Sequence, residues 1–331
     1  MRLLLIRHGE TVHNVTSVYA GITDSALTNH GVLQANRLAS HLATTYVKIS
    51  HIFSSDLQRA FKTAESIRVA QSPAPTETTK LEVLREQDFG FYEGKQFFER
   101  PREGNKPGKE AHQDAHRDDP DFKDVESKES MKVRSDTFID AHLAPLLRET
   151  PADNTVVVVA HGIILSHLWR ALLKRFHPSK VSVSQGIDTP GNGFSLEHLG
   201  GWSNTGYLDL EIKSIPTEDV PPIAQLSQPA AGSEDTQDTF NLRQKSLNSA
   251  AEFERPEDKS NLPQKPSTLP PAVPDTPREP SRLLGLTVVV KAVNNKAHLV
   301  GLKKTRGGLG SLKHDSSQKT VDSFFKKRRL E

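Results

Sequence analysis

The sequence predicts an α/β protein: a three-layer α/β/α sandwich with a mostly parallel central sheet, followed by a long disordered C-terminal tail. Three observations predict it. Leu3-Leu4-Leu5-Ile6 is a short, unbroken aliphatic run, the pattern of a strand buried on both faces. Thr155-Val156-Val157-Val158-Val159-Ala160 repeats it far along the chain. Between and after these runs lie segments of helical period, the alternation that a parallel sheet flanked by helices requires. Both runs end in a His-Gly pair, His8-Gly9 and His161-Gly162. Ligands of open α/β sheets bind just beyond the carboxyl ends of the strands, so both histidines are expected to face a pocket.

Taken in order, Asn14 lies in the loop that leads from His8 to Gly21 and Asp24. Thr28 is the expected N-cap of a helix over Val32 to Leu42, with Leu38 and Leu42 on one face. Ile49 to Ser54 reads as the second strand. The chain then turns through Ser54-Ser55-Asp56-Leu57-Gln58-Arg59-Ala60 into a helix reaching about Val69, with Arg59 in its first turns. Pro73 and Pro75 mark a loop. Leu81-Glu82-Val83-Leu84 leads to Arg85-Glu86-Gln87-Asp88-Phe89-Gly90 and then Glu93-Gly94. From Glu99 to Arg134, 19 of 36 residues are charged and the periodicity is poor. That stretch is read as a solvated insertion with short helical pieces, over or beside the pocket. Helical spacing returns over Val133 to Leu147, and Ile163 to Leu173 reads as a buried helix. Asn192 to His198 and Tyr207 to Ile212 read as the last strands.

From Pro216 to Pro280 the composition changes. Twelve of the 21 prolines fall in these 65 residues, with Phe240 and Phe253 the only aromatics. Such a segment cannot bury enough apolar surface to offset its ordering entropy and is expected to be disordered. Leu286 to Leu302 regains β-branched residues around Asn294-Asn295. As an isolated hairpin it would be marginal. The expected organisation is therefore a catalytic domain over 1–213, a Pro-rich linker over 214–285 and a basic tail over 286–331. None of the candidate pocket residues lies beyond 213, so a chain ending near Lys213 is expected to fold and keep its chemistry.

Composition narrows the function classes. The 331 residues carry a net charge of +2 and no Cys, which excludes disulfides, zinc–thiolate sites and thiol catalysis. The first apolar run is too short for a signal peptide and is interrupted by Arg7. No apolar stretch approaches the roughly 20 residues that span a membrane. A cytoplasmic or nuclear location is expected, and no stretch reads as a direct nucleic-acid site.

The strand ends and turns bring together Arg7, His8, Asn14, Arg59, Glu86 and His161. Two arginines and two histidines in one place do not make an apolar core, because buried like charges are costly. They suit a dianion: Arg is the preferred fork for phosphate oxygens, and a neutral imidazole can attack phosphorus.

The motifs Leu-Ile-Arg-His-Gly-Glu-Thr with Asn14, Ser-Ser-Asp-Leu-x-Arg-Ala-x-x-Thr-Ala at 54–64, Leu-Arg-Glu-x-Asp-Phe-Gly-x-x-Glu-Gly at 84–94 and Ala-His-Gly at 160–162 resemble the histidine phosphatase superfamily, the phosphoglycerate mutase-like fold. The resemblance covers roughly residues 1 to 212. It implies a histidine acid phosphatase-type phosphomonoesterase with His8 as the nucleophile, forming a phosphohistidine. It implies a phosphate cradle of Arg7, Arg59 and His161 with Asn14 and Gly162, and Glu86 as the general acid. That acid would have to be protonated part of the time near neutral pH. Neither cofactor nor metal is implied, since the arginines and histidines supply the positive charge. The substrate would be a phosphorylated small molecule or a phosphoprotein. Mutase members typically carry Asn after the second His-Gly, whereas Ile163-Ile164 follow here. Their Leu-Asn-Glu-Arg-His-Tyr-Gly is Leu84-Arg85-Glu86-Gln87-Asp88-Phe89-Gly90 in this chain. Both departures favour a phosphatase over a mutase. A catalytically idle scaffold that presents its tail is the third reading.

One more motif stands in the tail. Gln318-Lys319-Thr320-Val321-Asp322-Ser323-Phe324-Phe325 runs into Lys326-Lys327-Arg328-Arg329. It resembles the motif by which replication and repair proteins bind the sliding clamp, proliferating cell nuclear antigen (PCNA). One helical turn would place Val321, Phe324 and Phe325 on a single face, with the Gln318 amide beside them. The resemblance implies a clamp as partner, and the basic run implies attraction to an acidic surface and nuclear import.

Overall fold

Four aliphatic residues in a row need apolar cover on both sides, and the computed structural model supplies it. It describes residues 1–45, 48–75, 77–97, 122–149, 151, 153–187, 195–215, 282–303 and 309–315. The strands are β1 (Arg2–Arg7), β2 (Ile49–Ser55), β3 (Thr78–Leu81), β4 (Thr155–Ala160), β5 (Val181–Val183), β6 (Tyr207–Ser214) and β7 (Leu286–Asn295). They form one sheet in the order β3-β2-β4-β1-β6-β7-β5. Pairings are parallel from β3 through β1 and between β5 and β7. Only the two contacts of β6 are antiparallel. The mostly parallel α/β/α architecture is as the sequence predicts.

The helices are α1 (Val12–Thr16), α2 (Asn29–Thr45), α3 (Gln58–Val69), α4 (Lys128–Phe138), α5 (Ala144–Glu149) and α6 (Gly162–Leu173), with a π-helical turn over Ile139–Leu143 joining α4 to α5. The alternation of β1 and β4 sorts their side chains into two cores. Leu4, Ile6, Val157 and Val159 meet Leu38 and Leu42 of α2 and Ala60, Ala64 and Ile67 of α3. Leu3, Leu5, Val156 and Val158 meet Met131 and Phe138 of α4 and Leu165, Leu168 and Leu172 of α6. Burying each such aliphatic is worth roughly 1.5–3 kcal/mol, so the two central strands carry much of the fold. The Thr28 hydroxyl accepts from the Gly31 N–H at 3.0 Å, capping α2 as expected. Gly31 lets that helix approach the turn after β1, because a Cβ there would lie 2.0 Å from the Glu10 carbonyl oxygen.

Three expectations are corrected. First, the folded domain does not end near 213. Strand β7 lies beside β6, with Lys213 opposite Thr287 and Ser214 opposite Leu286, and Ile215 N–H donates to the Gly285 carbonyl at 2.8 Å. The chain on the two sides of residues 216–281 therefore lies side by side. Loop-closure entropy grows only with the logarithm of loop length, so a long excursion is compatible with this pairing. Residues 286–302 are thus not an isolated hairpin or part of a separate tail. Residues 216–281 of the expected linker lie outside the described residues. Second, the charged stretch 99–134 is not all insertion. Its 99–121 portion lies outside the described residues, but α4 begins at Lys128, capped by the Ser127 hydroxyl, and buries Met131 and Ser135. The charges that disguised it are paired: Arg134 meets Glu126 at 2.8 Å and donates to the Val83 carbonyl at 2.8 Å. Third, 195–198 is no strand; Ser195 and His198 form an isolated bridge. Strand β3 was not foreseen.

Candidate active site

The register of the central pair brings the two histidines together. Arg7 lies opposite Ala160 in parallel strands, so the next residues, His8 and His161, leave the sheet side by side. The His8 N–H donates to the Ala160 carbonyl at 3.0 Å. The imidazole centroids are 5.0 Å apart and tilted by 60°, and both rings are buried.

Their protons sit on opposite nitrogens. His8 Nδ1 is 2.7 Å from the Gly9 carbonyl oxygen. That oxygen can only accept, so Nδ1 carries the proton and Nε2 keeps its lone pair. His161 Nδ1 is 3.1 Å from Arg59 Nε. That Nε can only donate, so His161 carries its proton on Nε2. Among the described residues, His161 Nε2 is buried without a hydrogen-bond partner, as is Arg7 Nε. Burial holds both imidazoles well below the ordinary histidine range, reinforced by the neighbouring guanidiniums of Arg59 and Arg7. Both rings are therefore neutral near pH 7. One offers a lone pair and the other an N–H. Buried N–H groups without a protein acceptor fit an anion.

Arg7 donates through Nη1 to the Trp202 carbonyl at 2.6 Å. Arg59 is 1% exposed and more committed than expected. Nη1 donates to the Thr23 carbonyl at 2.8 Å, and Nη2 to those of Ala20 and Gly21 at 3.0 and 2.7 Å. With Nε on His161, only one N–H remains for a ligand. Burial pushes its guanidinium down to about 10, so it stays charged near neutral pH. The expected share of Arg59 in the cradle narrows to that N–H, its field and its hold on His161.

Glu86 spans the entry to α6. Its Oε2 accepts from Ile163 N–H at 3.1 Å and its Oε1 from Ile164 N–H at 3.0 Å. These amides lie in the first turn of the helix, where the N-cap residue His161 makes no side-chain cap bond. Gly162 lies in the same corner; a Cβ there would stand 3.9 Å from Arg7 Nε and 4.0 Å from Glu86 Oε2. Asn14 closes a capping box with Thr11 at the start of α1. Its Oδ1 accepts from the Thr11 N–H and from Asn204 Nδ2, at 3.2 and 3.1 Å, which leaves its Nδ2 as the donating end. All seven expected pocket residues (Arg7, His8, Asn14, Arg59, Glu86, His161 and Gly162) line one cavity of about 860 Å³.

Sequence reasoning missed the residues that hold these groups in place. Glu93 accepts from the N–H groups of Gly21, Ile22, Thr23 and Phe89 at 2.9–3.2 Å. The 20–23 turn is thus gripped by its amides through Glu93 and by its carbonyls through Arg59. Gly21 permits this, since a Cβ there would fall 2.0 Å from the Gln87 carbonyl. Arg134 donates to the Arg85 carbonyl at 3.0 Å, beside Glu86. Asn204 and Thr205 donate to the His8 carbonyl, each at 3.2 Å. The Leu-Arg-Glu-x-Asp-Phe-Gly-x-x-Glu-Gly spacing was the available signal for Glu93. Asn204 and Thr205 stand in no periodic or motif pattern and gave none. The far wall adds Tyr19, Phe89, Phe97, Arg170 and Trp202.

Residues 3–187 match the model of the histidine phosphatase superfamily (branch 1). The chain is 36% identical over 181 residues to the Schizosaccharomyces pombe protein named Probable phosphatase C1620.13, covering 52% of this chain and 56% of that one. It is 31% identical over 216 residues to phosphoglycerate mutase-like protein 4 of Arabidopsis thaliana, covering 63% of this chain and 85% of the plant protein. A solved structure, mycobacterial hydrolase 1, is 26% identical with a TM-score of 0.48 and covers 66% of this chain and 92% of its own. Among the described residues no helix is long and apolar enough to cross a membrane. With the match spanning more than half of the chain, and with both strand-end histidines, Arg7 and Glu86 in one cavity, this protein belongs to branch 1 of the histidine phosphatase superfamily.

Proposed function

We propose that the protein is a phosphomonoesterase that needs no metal and works through a phosphohistidine at His8. The observation that carries this reading is the opposed placement of protons. A lone pair on His8 Nε2 stands beside the unpartnered N–H groups of His161 and Arg7, which are the nucleophile and donors that a phosphoryl group needs. In the first step the Nε2–P bond forms as the ester P–O bond breaks, and the leaving oxygen takes a proton from Glu86. In the second step water attacks phosphorus, its proton returns to Glu86, and the N–P bond breaks to free inorganic phosphate. His161, Arg7 and the remaining Arg59 N–H hold the phosphoryl oxygens, where charge spreads in transit. The name of the S. pombe relative supports the hydrolytic reading. The test is phosphate release across a panel of phosphorylated metabolites and phosphopeptides. Acid-labile, base-stable labelling from a labelled substrate, absent in His8→Ala, is the expected companion result. An unlabelled protein that still turns over would overturn the covalent route.

The tail motif carries a separate proposal. Gln318, Val321, Phe324 and Phe325 lie outside the described residues, and the observation behind the proposal is the spacing itself, an i, i+3, i+4 apolar face joined to a basic run. We propose that this segment binds a PCNA-type sliding clamp and that the protein is at least partly nuclear. A peptide of residues 312–331 titrated calorimetrically against purified clamp should bind in the micromolar range, and the Phe324→Ala/Phe325→Ala peptide should not. Equal heats from both would end the idea.

A further inference from the structure

The segment that returns after the Pro-rich excursion touches the loop on which the site rests. Asn294, near the end of β7, accepts from the Ser203 N–H at 2.9 Å through Oδ1 and donates to the Ser203 hydroxyl at 3.1 Å through Nδ2. Its φ of +46° lies in the left-handed region, which Asn tolerates better than most residues. His298, in the 3₁₀ turn Ala297–Leu299 that follows, is buried. Its Nε2 is 2.9 Å from the Thr205 hydroxyl oxygen. The single hydroxyl proton of Thr205 is directed at the Asn204 carbonyl, 2.7 Å away, so His298 Nε2 is the donor. Its Nδ1 is buried without a hydrogen-bond partner among the described residues. Burial, with His41 and Arg37 nearby, pushes its imidazole down to about 4, in keeping with a neutral ring that carries one proton.

The loop these residues grip is the one that holds the nucleophile. Trp202 accepts from Arg7 Nη1, Asn204 donates to the His8 carbonyl and to Asn14 Oδ1, and Thr205 N–H donates to the carbonyls of Arg7 and His8. Thr205 itself has φ +54°, a conformation that a β-branched residue adopts only when its surroundings impose it. Beside the Thr205 N–H bonds to the strand-end carbonyls, the His298–Thr205 bond and the Asn294–Ser203 pair hold it there.

We propose that Asn294 and His298 are positioning residues for the nucleophile, so that the chain beyond the Pro-rich excursion completes the active site from behind. Neither residue lines the cavity; they act through Ser203 and Thr205. The inference rests on the phosphomonoesterase reading for its consequence in turnover, but not for its geometry.

The test uses the full chain. Thr205→Val removes the acceptor of the His298 bond with little change of shape, His298→Ala removes the donor, and His298→Gln restores an N–H donor. Leu284→Ala, at an exposed position of the same segment, is the control. On an aryl phosphate, Thr205→Val and His298→Ala should each lower kcat/KM at least fivefold. The double variant should fall no further than the worse single one, because Thr205→Val already removes the bond that His298→Ala breaks, along with the hydroxyl's own bond to the Asn204 carbonyl. His298→Gln should recover most of the loss and Leu284→Ala should lose nothing. The ¹⁵N signals of the His8 ring, assigned by their loss in His8→Asn, should shift in Asn294→Ala, Thr205→Val and His298→Ala and stay put in the control. Activity within twofold of wild type in all three variants would overturn the proposal. So would lost activity with unmoved His8 signals, which marks a general loss of stability. If the wild type releases no phosphate from any ester, the phosphomonoesterase reading fails, and the His8 signals alone decide this one.

Discussion

His8 and His161 end neighbouring strands of near-identical pattern, yet they carry their protons on opposite nitrogens. In both, an aliphatic strand runs into His-Gly, and the ring is buried. What differs is the partner of Nδ1: a carbonyl oxygen at His8, a guanidinium Nε–H at His161. A carbonyl forces a proton onto Nδ1, and a guanidinium forbids it. The same local sequence therefore yields a lone pair in one case and a donor in the other. The lesson is that a motif places a side chain, whereas the neighbour one bond away chooses its chemistry.

The comparison breaks most sharply at the nucleophile. His8→Ala should lower phosphate release by roughly 10⁴-fold or more and abolish acid-labile labelling, measured with a labelled ester. His161→Ala should cost less, about 10²–10³-fold, as for loss of one donor to a developing charge, and should leave His8 able to take label. If both variants lose label equally, the two rings do not have distinct roles.

Glu86→Gln tests the third member of the corner. Turnover of alkyl phosphates should fall by about 10²-fold, and turnover of activated aryl phosphates by much less, because a good leaving group needs little protonation. Equal losses on both classes would count against proton transfer by Glu86. Losses confined to thermal stability would mark it as a cap of α6 alone.

The smallest expected effect sharpens what the two rings share. Burial lowers the folded-state affinity of both for protons, so below the ordinary histidine value of about 6.5 the unfolded chain binds more protons than the folded one. Stability is then fully present above that value and is lost as pH falls below it. Between pH 7.5 and 5.5 the loss comes to about 1.4 kcal/mol per histidine. Urea midpoints at pH 7.5 and 5.5 read it, and His161→Gln should flatten the dependence. A midpoint that rises on acidification would contradict the neutral, buried rings.

A second contrast, between β1 and β7, bears on what could be read in advance. β1, β4 and the helices α2, α3 and α6 follow from local pattern: unbroken aliphatic runs, helical spacing and a Thr cap. Their strand ends carry Arg7, His8, His161 and Gly162, so most of the site was legible with them. Arg59 and Glu86 were legible through residue types in motif spacing. The β-branched residues of β7 were legible as a strand but its place was not, because β7 follows a long Pro-rich stretch and its place is decided by a pairing with β6 that leaves no local mark. α4 was obscured because Glu126 and Arg134, charged in the sequence, neutralise each other in the fold.

Residue order alone was enough to specify two buried strands in parallel and the chemical groups at their ends. The proton on each imidazole, the commitment of Arg59 to carbonyls, the Glu93 grip on the 20–23 turn and the support of His8 by Asn204 and Thr205 came only with the folded chain. The physical reason is common to all four. Each depends on a backbone carbonyl or amide, or on a partner far along the chain. Every residue but proline carries the same backbone donor and acceptor, so no side-chain pattern announces which ones will meet.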